Sequence, residues 1–207
     1  DETSSPFFDL LNVRYVLTRD SEPPPAHSEL LLTAEGLAIY ENKQALPRAF
    51  FARRVISVKD EGEMLNIMKG PGFDPLSTVV VRQEIGNPEG EPTVSQAGAS
   101  PPGEATITEA RRNRVVVETA SENGGLLVLS DNYYPGWKAF IDGKGVEVLR
   151  ANHTMRAVRV PPGSRVVSFD FVPEVFKASA YASLAGAFAV LVALVAPASR
   201  KKRDAAP

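Results

Sequence analysis

The 207-residue chain has no cysteine, only two histidines and a single tryptophan. Without thiols there is no disulfide framework and no thiolate zinc site. His27 and His153 stand far apart in unrelated contexts, so a metal would have to rest on carboxylates alone; neither a metal nor a cofactor is expected. Charge of one sign is lacking as well. With 23 basic against 25 acidic residues the net charge is −2, which gives no electrostatic reason to bind nucleic acid.

Charge is also missing locally, and there the absence is informative. Between Lys177 and Arg200 lie 22 uncharged positions, Ala178 to Ser199, of which 17 are Ala, Val, Leu, Phe or Tyr. A helix of that length spans about 33 Å, enough to cross a hydrocarbon core of roughly 30 Å. The segment 174–199 is therefore expected to be a transmembrane helix; the alternative is a buried helix of a soluble domain. Ala178, Ala182 and Gly186 recur at a spacing of four, which lets helix backbones approach closely in lipid and suits packing against neighbouring membrane helices.

Arg200, Lys201, Lys202 and Arg203 follow the apolar run directly, whereas Lys177 alone precedes it. By the positive-inside rule the tail 200–207 is cytoplasmic and residues 1–177 lie outside. Removing the last thirty residues, with four basic side chains and Asp204, leaves 19 basic and 24 acidic residues, a net of −5 for the external part. The chain starts at Asp1 without a basic-then-apolar leader. It is accordingly expected to be the C-terminal piece of a longer protein whose earlier membrane helices carry out the export. A tail-anchored protein is the rival, at the cost of moving four basic residues across the bilayer.

The external part reads as mainly β. Gly86 to Gly103 holds four glycines and four prolines with one sizeable aliphatic, Val94, and is expected to be a linker or long loop. It separates a mixed strand and helix unit, 1–85, from an antiparallel β-sandwich, 104–173. In the first unit, strands are expected at 13–18, 36–41, 48–57 and 78–83. A short helix is expected to start at Asp60, with Glu63 at its third position, and to stop at Gly70-Pro71. In the second, strands at 115–118, 126–130, 137–141, 146–149, 155–160 and 165–172 alternate with turns. Asn123-Gly124-Gly125 reads as a hairpin turn, and so does Asp142-Gly143.

Catalytic patterns do not emerge. The sequence holds no nucleophile elbow, phosphate-cradling glycine loop, paired-histidine zinc motif or EF-hand loop. Asp60, Glu61 and Glu63 are explained by helix capping. Asn152-His153-Thr154 fits a glycosylation acceptor without further support. The one candidate contact site is Asp131, Asn132, Tyr133, Tyr134 and Trp137, where aromatic faces and polar groups have the composition of a glycan site. The competing explanation puts Trp137, Ala139 and Ile141 on the inner face of a strand, with Tyr133-Tyr134-Pro135-Gly136 as a turn at the sandwich end.

Three blocks carry a family resemblance: Leu10-Leu11-Asn12-Val13-Arg14-Tyr15-Val16-Leu17-Thr18; Tyr40-Glu41-Asn42 with Leu46-Pro47-Arg48-Ala49-Phe50; and Ser130-Asp131-Asn132-Tyr133-Tyr134-Pro135-Gly136-Trp137-Lys138-Ala139 with Asp142-Gly143. In this order, with Val160-Pro161-Pro162-Gly163 before the final strand, they resemble the C-terminal region of the YfhO-type bacterial membrane proteins. The resemblance implies a polytopic owner in the bacterial cytoplasmic membrane, similar to glycosyltransferases that move lipid-linked sugars onto cell-envelope polymers. The catalytic acidic residue of such enzymes lies in an early external loop, so none is carried over here. The partners implied are the bilayer, upstream membrane helices of the same protein and a cell-envelope glycan. A membrane-tethered glycan- or protein-binding module with no enzymatic role is the alternative.

Overall fold

The computed structural model describes residues 6–82, 93–96 and 103–195. In chain order they form α1 (Pro6–Leu10), β1 (Tyr15–Arg19), β2 (Ser28–Ala34), β3 (Leu37–Asn42), β4 (Ala49–Phe51), β5 (Arg54–Val58), α2 (Glu61–Lys69), β6 (Thr78–Arg82) and β7 (Thr93–Gln96). These are followed by β8 (Glu104–Arg111), β9 (Arg114–Ser121), β10 (Gly125–Asn132), β11 (Trp137–Ile141), β12 (Lys144–Val146), β13 (Leu149–Ala151), β14 (Met155–Val160), β15 (Gly163–Phe171) and α3 (Glu174–Val195). The chain divides into two compact units, Asp1–Phe171 and Val172–Pro207.

The first unit is mainly β, as expected. Its centre is a sandwich of a seven-stranded sheet, β4-β10-β14-β13-β6-β5-β7, and a five-stranded sheet, β12-β11-β15-β9-β8. One core joins them. Ala49, Phe51, Leu127, Leu129, Val158 and Val160 from the larger sheet meet Val115, Val117, Ala139, Ile141, Val167 and Phe169 from the smaller. Period-two alternation sends these side chains inward and their neighbours outward. A third sheet, β1-β3-β2, stands apart from both ladders.

Among the described residues every strand pair is antiparallel except β5 and β6, which run parallel from Arg54↔Thr78 to Val58↔Arg82. Their connection carries α2, whose Met64 and Met68 pack with Ile56, Val58 and Val80. The start of α2 is the capping arrangement foreseen from the sequence: Asp60 Oδ1 accepts from the Glu63 backbone N–H at 2.9 Å, and Glu63 accepts from the N–H of Lys59 at 3.0 Å. The turn after β13 pins this region from the other side. Buried Asn152, at φ 44°, exchanges two hydrogen bonds of 2.8 Å with Val80 through its backbone N–H and its Oδ1.

Four expectations change. The split between 1–85 and 104–173 does not survive in the sheets, because β4, β5 and β6 from before the Gly/Pro-rich stretch hydrogen-bond in one sheet with β10, β13 and β14 from after it. That stretch itself lies outside the described residues except for β7 and Gly103, and β7 pairs with β5. The strand expected over 48–57 is two strands, broken at Ala52-Arg53, with β4 at one edge of the larger sheet and β5 near the other. Asn123-Gly124-Gly125 is no hairpin either: β9 pairs with β8 and β15, β10 with β4 and β14, so this turn crosses between sheets. Gly124, at φ 70°, passes so close to the opposite connection that a Cβ would stand 2.5 Å from the Val160 carbonyl oxygen. The Asp142-Gly143 turn does close a hairpin, with Ile141↔Lys144 between β11 and β12.

The expected membrane span coincides with α3, a 22-residue helix. Among the described residues no helix is long and apolar enough to cross a membrane.

Because β4 to β6 complete the larger sheet, a fragment limited to residues 104–173 should show no cooperative urea unfolding by Trp137 fluorescence, whereas residues 1–171 should unfold in one sharp transition.

Candidate functional site

Three neighbouring strands of the larger sheet present a row of charges at the sandwich end. Asp131 lies near the end of β10, where the ladder to β14 slips between Leu129 and Asn132. Arg48 precedes β4 on one side and Arg156 sits in β14 on the other. Arg48 grips the carboxylate with two parallel bonds, Nε to Oδ1 and Nη2 to Oδ2, both 2.8 Å. Arg156 adds Nη2 to Oδ2 at 2.7 Å. A bidentate, charge-assisted grip of this kind is geometrically specific.

Arg156 is only 2% exposed. Its guanidinium crosses the gap between the sheets and lies 3.7 Å from the centroid of the Trp137 ring on β11, with Phe169 at 5.6 Å. Nε and Nη1 find no hydrogen-bond acceptor, so the aromatic face takes the place of a polar partner for much of the cation. Burial pushes the Arg156 pKa down to about 10; Asp131 opposes this and the Arg48 charge adds to it, leaving the group protonated at neutral pH. The bond to Asp131 moves the Arg48 guanidinium in the other direction, upward.

The five residues singled out from the sequence do not form one surface. Trp137 is half-buried against the sandwich core, with Phe171 of the paired strand at 5.3 Å and an interplanar angle of 47°. Asp131 is occupied by its two arginines. Tyr133 turns elsewhere: its backbone N–H bonds the Thr154 carbonyl, and its ring lies 5.9 Å from the guanidinium carbon of Arg150, which in turn pairs with Glu61 of α2. Asn132 and Tyr134 remain exposed, Tyr134 at 64%, its ring tilted 52° against Phe171. The arrangement therefore offers two exposed groups on an aromatic ridge and no free carboxylate.

The other candidates resolve individually. His27 is exposed, whereas the His153 Nδ1 is buried without a partner in a turn at φ 67°. Among the described residues no cluster of acidic and histidine side chains could hold a metal. Asn152 is too buried to accept a glycan. Ala182 and Gly186 lie in α3, while Arg200, Lys201, Lys202 and Arg203 fall outside the described residues, as does the Ala178 side chain. A groove of about 400 Å³ runs between the edges of β4 and β8, lined by Leu46, Phe50, Arg53 and Leu76, and contains none of the five.

The sequence reading missed both arginines. One signal for Arg156 was present: in Met155-Arg156-Ala157-Val158-Arg159-Val160 it shares parity with Val158 and Val160, which face the sandwich core. If Trp137 is a core anchor and Tyr134 a surface ring, Trp137→Ala should cost about 3–5 kcal/mol in unfolding free energy. Tyr134→Ala should stay within about 0.5 kcal/mol by the same denaturation measurement.

The family model described as Bacterial membrane protein YfhO matches residues 99–183. No curated protein and no solved structure matches the chain. The matched stretch includes Asp131, Trp137 and Arg156 and ends within α3; the blocks near Leu10 and Tyr40 lie outside it. Over residues 99–183, therefore, the chain is similar to the bacterial membrane protein family YfhO.

Proposed function

We propose that the β-sandwich is a non-catalytic extracytoplasmic domain carried by α3 as a membrane helix, within a larger YfhO-type protein that acts like a lipid-linked-sugar glycosyltransferase on cell-envelope polymers. The observation that carries this reading is α3 itself. Tyr181, Leu184, Phe188, Leu191 and Leu194 are all exposed, as are Val190 and Val192 on other sides of the helix. A helix apolar all round belongs in a core or in lipid. The described side chains run unbroken only over 181–194, too short to span by themselves, but the sequence stays uncharged from Ala178 to Ser199. The 22 residues of α3, Glu174–Val195, rise about 33 Å, against a hydrocarbon core of roughly 30 Å.

The non-catalytic assignment is supported by the state of Asp131, whose two oxygens accept three bonds from Arg48 and Arg156. The domain would cap the membrane-embedded part and help to place an acceptor polymer. A second reading, a tethered glycan- or protein-binding module outside any enzyme, draws on exposed Asn132 and Tyr134 at the sandwich end.

These 207 residues hold no cysteine, so once any cysteine elsewhere in the full-length protein is replaced, topology is directly measurable. In intact bacteria producing the full-length protein, Val166→Cys should react with a membrane-impermeant maleimide added outside, and Ala206→Cys only after permeabilisation. Labelling in the reverse order, or of both sites from outside, would overturn the assignment.

A further inference from the structure

The outward face of the β1-β3-β2 sheet is apolar and has no partner among the described residues. Residues paired across an antiparallel ladder share a face. The registers Tyr15↔Glu41, Leu17↔Ile39 and Arg19↔Leu37, with Glu29↔Glu41, Leu32↔Ile39 and Ala34↔Leu37, define three rows on one side of the sheet. On the other side Ala38, Tyr40 and Asn42 are buried. Tyr15, Leu17, Leu32 and Leu37 are 57%, 62%, 55% and 43% exposed. A contiguous apolar patch ringed by polar groups marks an interaction surface.

The charges on that face say what kind of surface it meets. Glu41 is held by Lys43 and by Arg14, the latter at 3.0 Å, and Lys43 also reaches Glu29 at 3.1 Å. Both carboxylates of the face are thus paired. At the opposite end Arg19 has no ion pair among the described residues, while the acidic turns at Asp20–Glu22 and Glu35 stand beside it. The face is close to neutral, with an aliphatic centre and a tyrosine and an arginine at its margins. This composition suits the boundary between phospholipid headgroups and acyl chains.

Connectivity supplies the second argument. Only Val172 and Pro173 separate the end of β15 at Phe171 from the start of α3 at Glu174. If α3 is in the bilayer, a two-residue tether keeps the domain at its surface, where even a modest apolar contact is favoured by the high effective concentration. We infer that the outward face of the β1-β3-β2 sheet, centred on Leu17, Leu32 and Leu37, lies on the membrane surface and fixes the sandwich against lipid. This rests on the assignment of α3 as a membrane helix. The contact is apolar first, so it should form on phosphatidylethanolamine as well as on phosphatidylglycerol and should persist in high salt.

The test uses the whole chain reconstituted in vesicles of phosphatidylethanolamine and phosphatidylglycerol, with one engineered cysteine at a time bearing an environment-sensitive fluorophore. Leu17→Cys and Leu37→Cys should be quenched by bromolipid and shielded from aqueous iodide. Thr33→Cys, on the other face, should be quenched by iodide, and Leu191→Cys by bromolipid alone. Circular dichroism checks that each variant is folded. Iodide quenching at Leu17 and Leu37 with lipid quenching at Leu191 would overturn the inference and leave the α3 assignment standing. Shielding of Leu17 from both quenchers would also overturn it, since a second copy or another protein segment would then cover the face. Iodide quenching at Leu191 would defeat the α3 assignment and this inference with it.

Discussion

The sandwich is tied across its two sheets by one buried cation. Arg156 rises from β14 in the larger sheet, bonds Asp131 at 2.7 Å and lays its guanidinium 3.7 Å over Trp137 of the smaller sheet. Removing a charge from water costs several kcal/mol, and an ion pair alone seldom repays it. Here the repayment comes from three sources at once: the carboxylate, the Trp137 face and the Phe169 ring. Arg48 adds a bidentate grip on the same carboxylate, whose Oδ2 both arginines share. A cysteine-free domain has no covalent tie between its sheets, so this polar bridge and the aliphatic core around it must hold the register.

The same bridge governs what the sandwich can do. Asp131 is held by two arginines, Trp137 is half-buried, and the aromatic ridge at the end of the sandwich consists of Tyr134 against Phe171. The proposed capping role draws on this arrangement and on the similarity of residues 99–183 to the YfhO family.

The sequence was most legible where local chemistry decides the outcome. The capping box at Asp60 and Glu63, the αL pair Asp142-Gly143 and the alternation of Val115, Val117 and Val167 each carry their structure within a few residues. It was least legible where partners are distant. Nothing near residue 50 reveals that Phe50 will pair with Val128, or that β9 and β10, separated by a glycine turn that normally makes a hairpin, will enter different sheets. Gly124 reads locally as part of a hairpin turn, but its close approach to the Val160 carbonyl is a long-range requirement. For the site the pattern repeats. The aromatic block was visible, whereas Arg48 and Arg156, which hold Asp131 and cover Trp137, lie 83 and 25 residues away from the aspartate.

The central claim, that Arg156 couples the two sheets through Trp137, is tested most directly by a double-mutant cycle in residues 1–171. Arg156→Met, Trp137→Leu and the pair are compared by urea unfolding followed by far-ultraviolet circular dichroism. A desolvated cation–aromatic contact predicts a coupling of about 1–2 kcal/mol, the two single losses overlapping in the double variant. Strict additivity, with a coupling near zero, would mean that the two side chains are stabilised independently and would contradict the account.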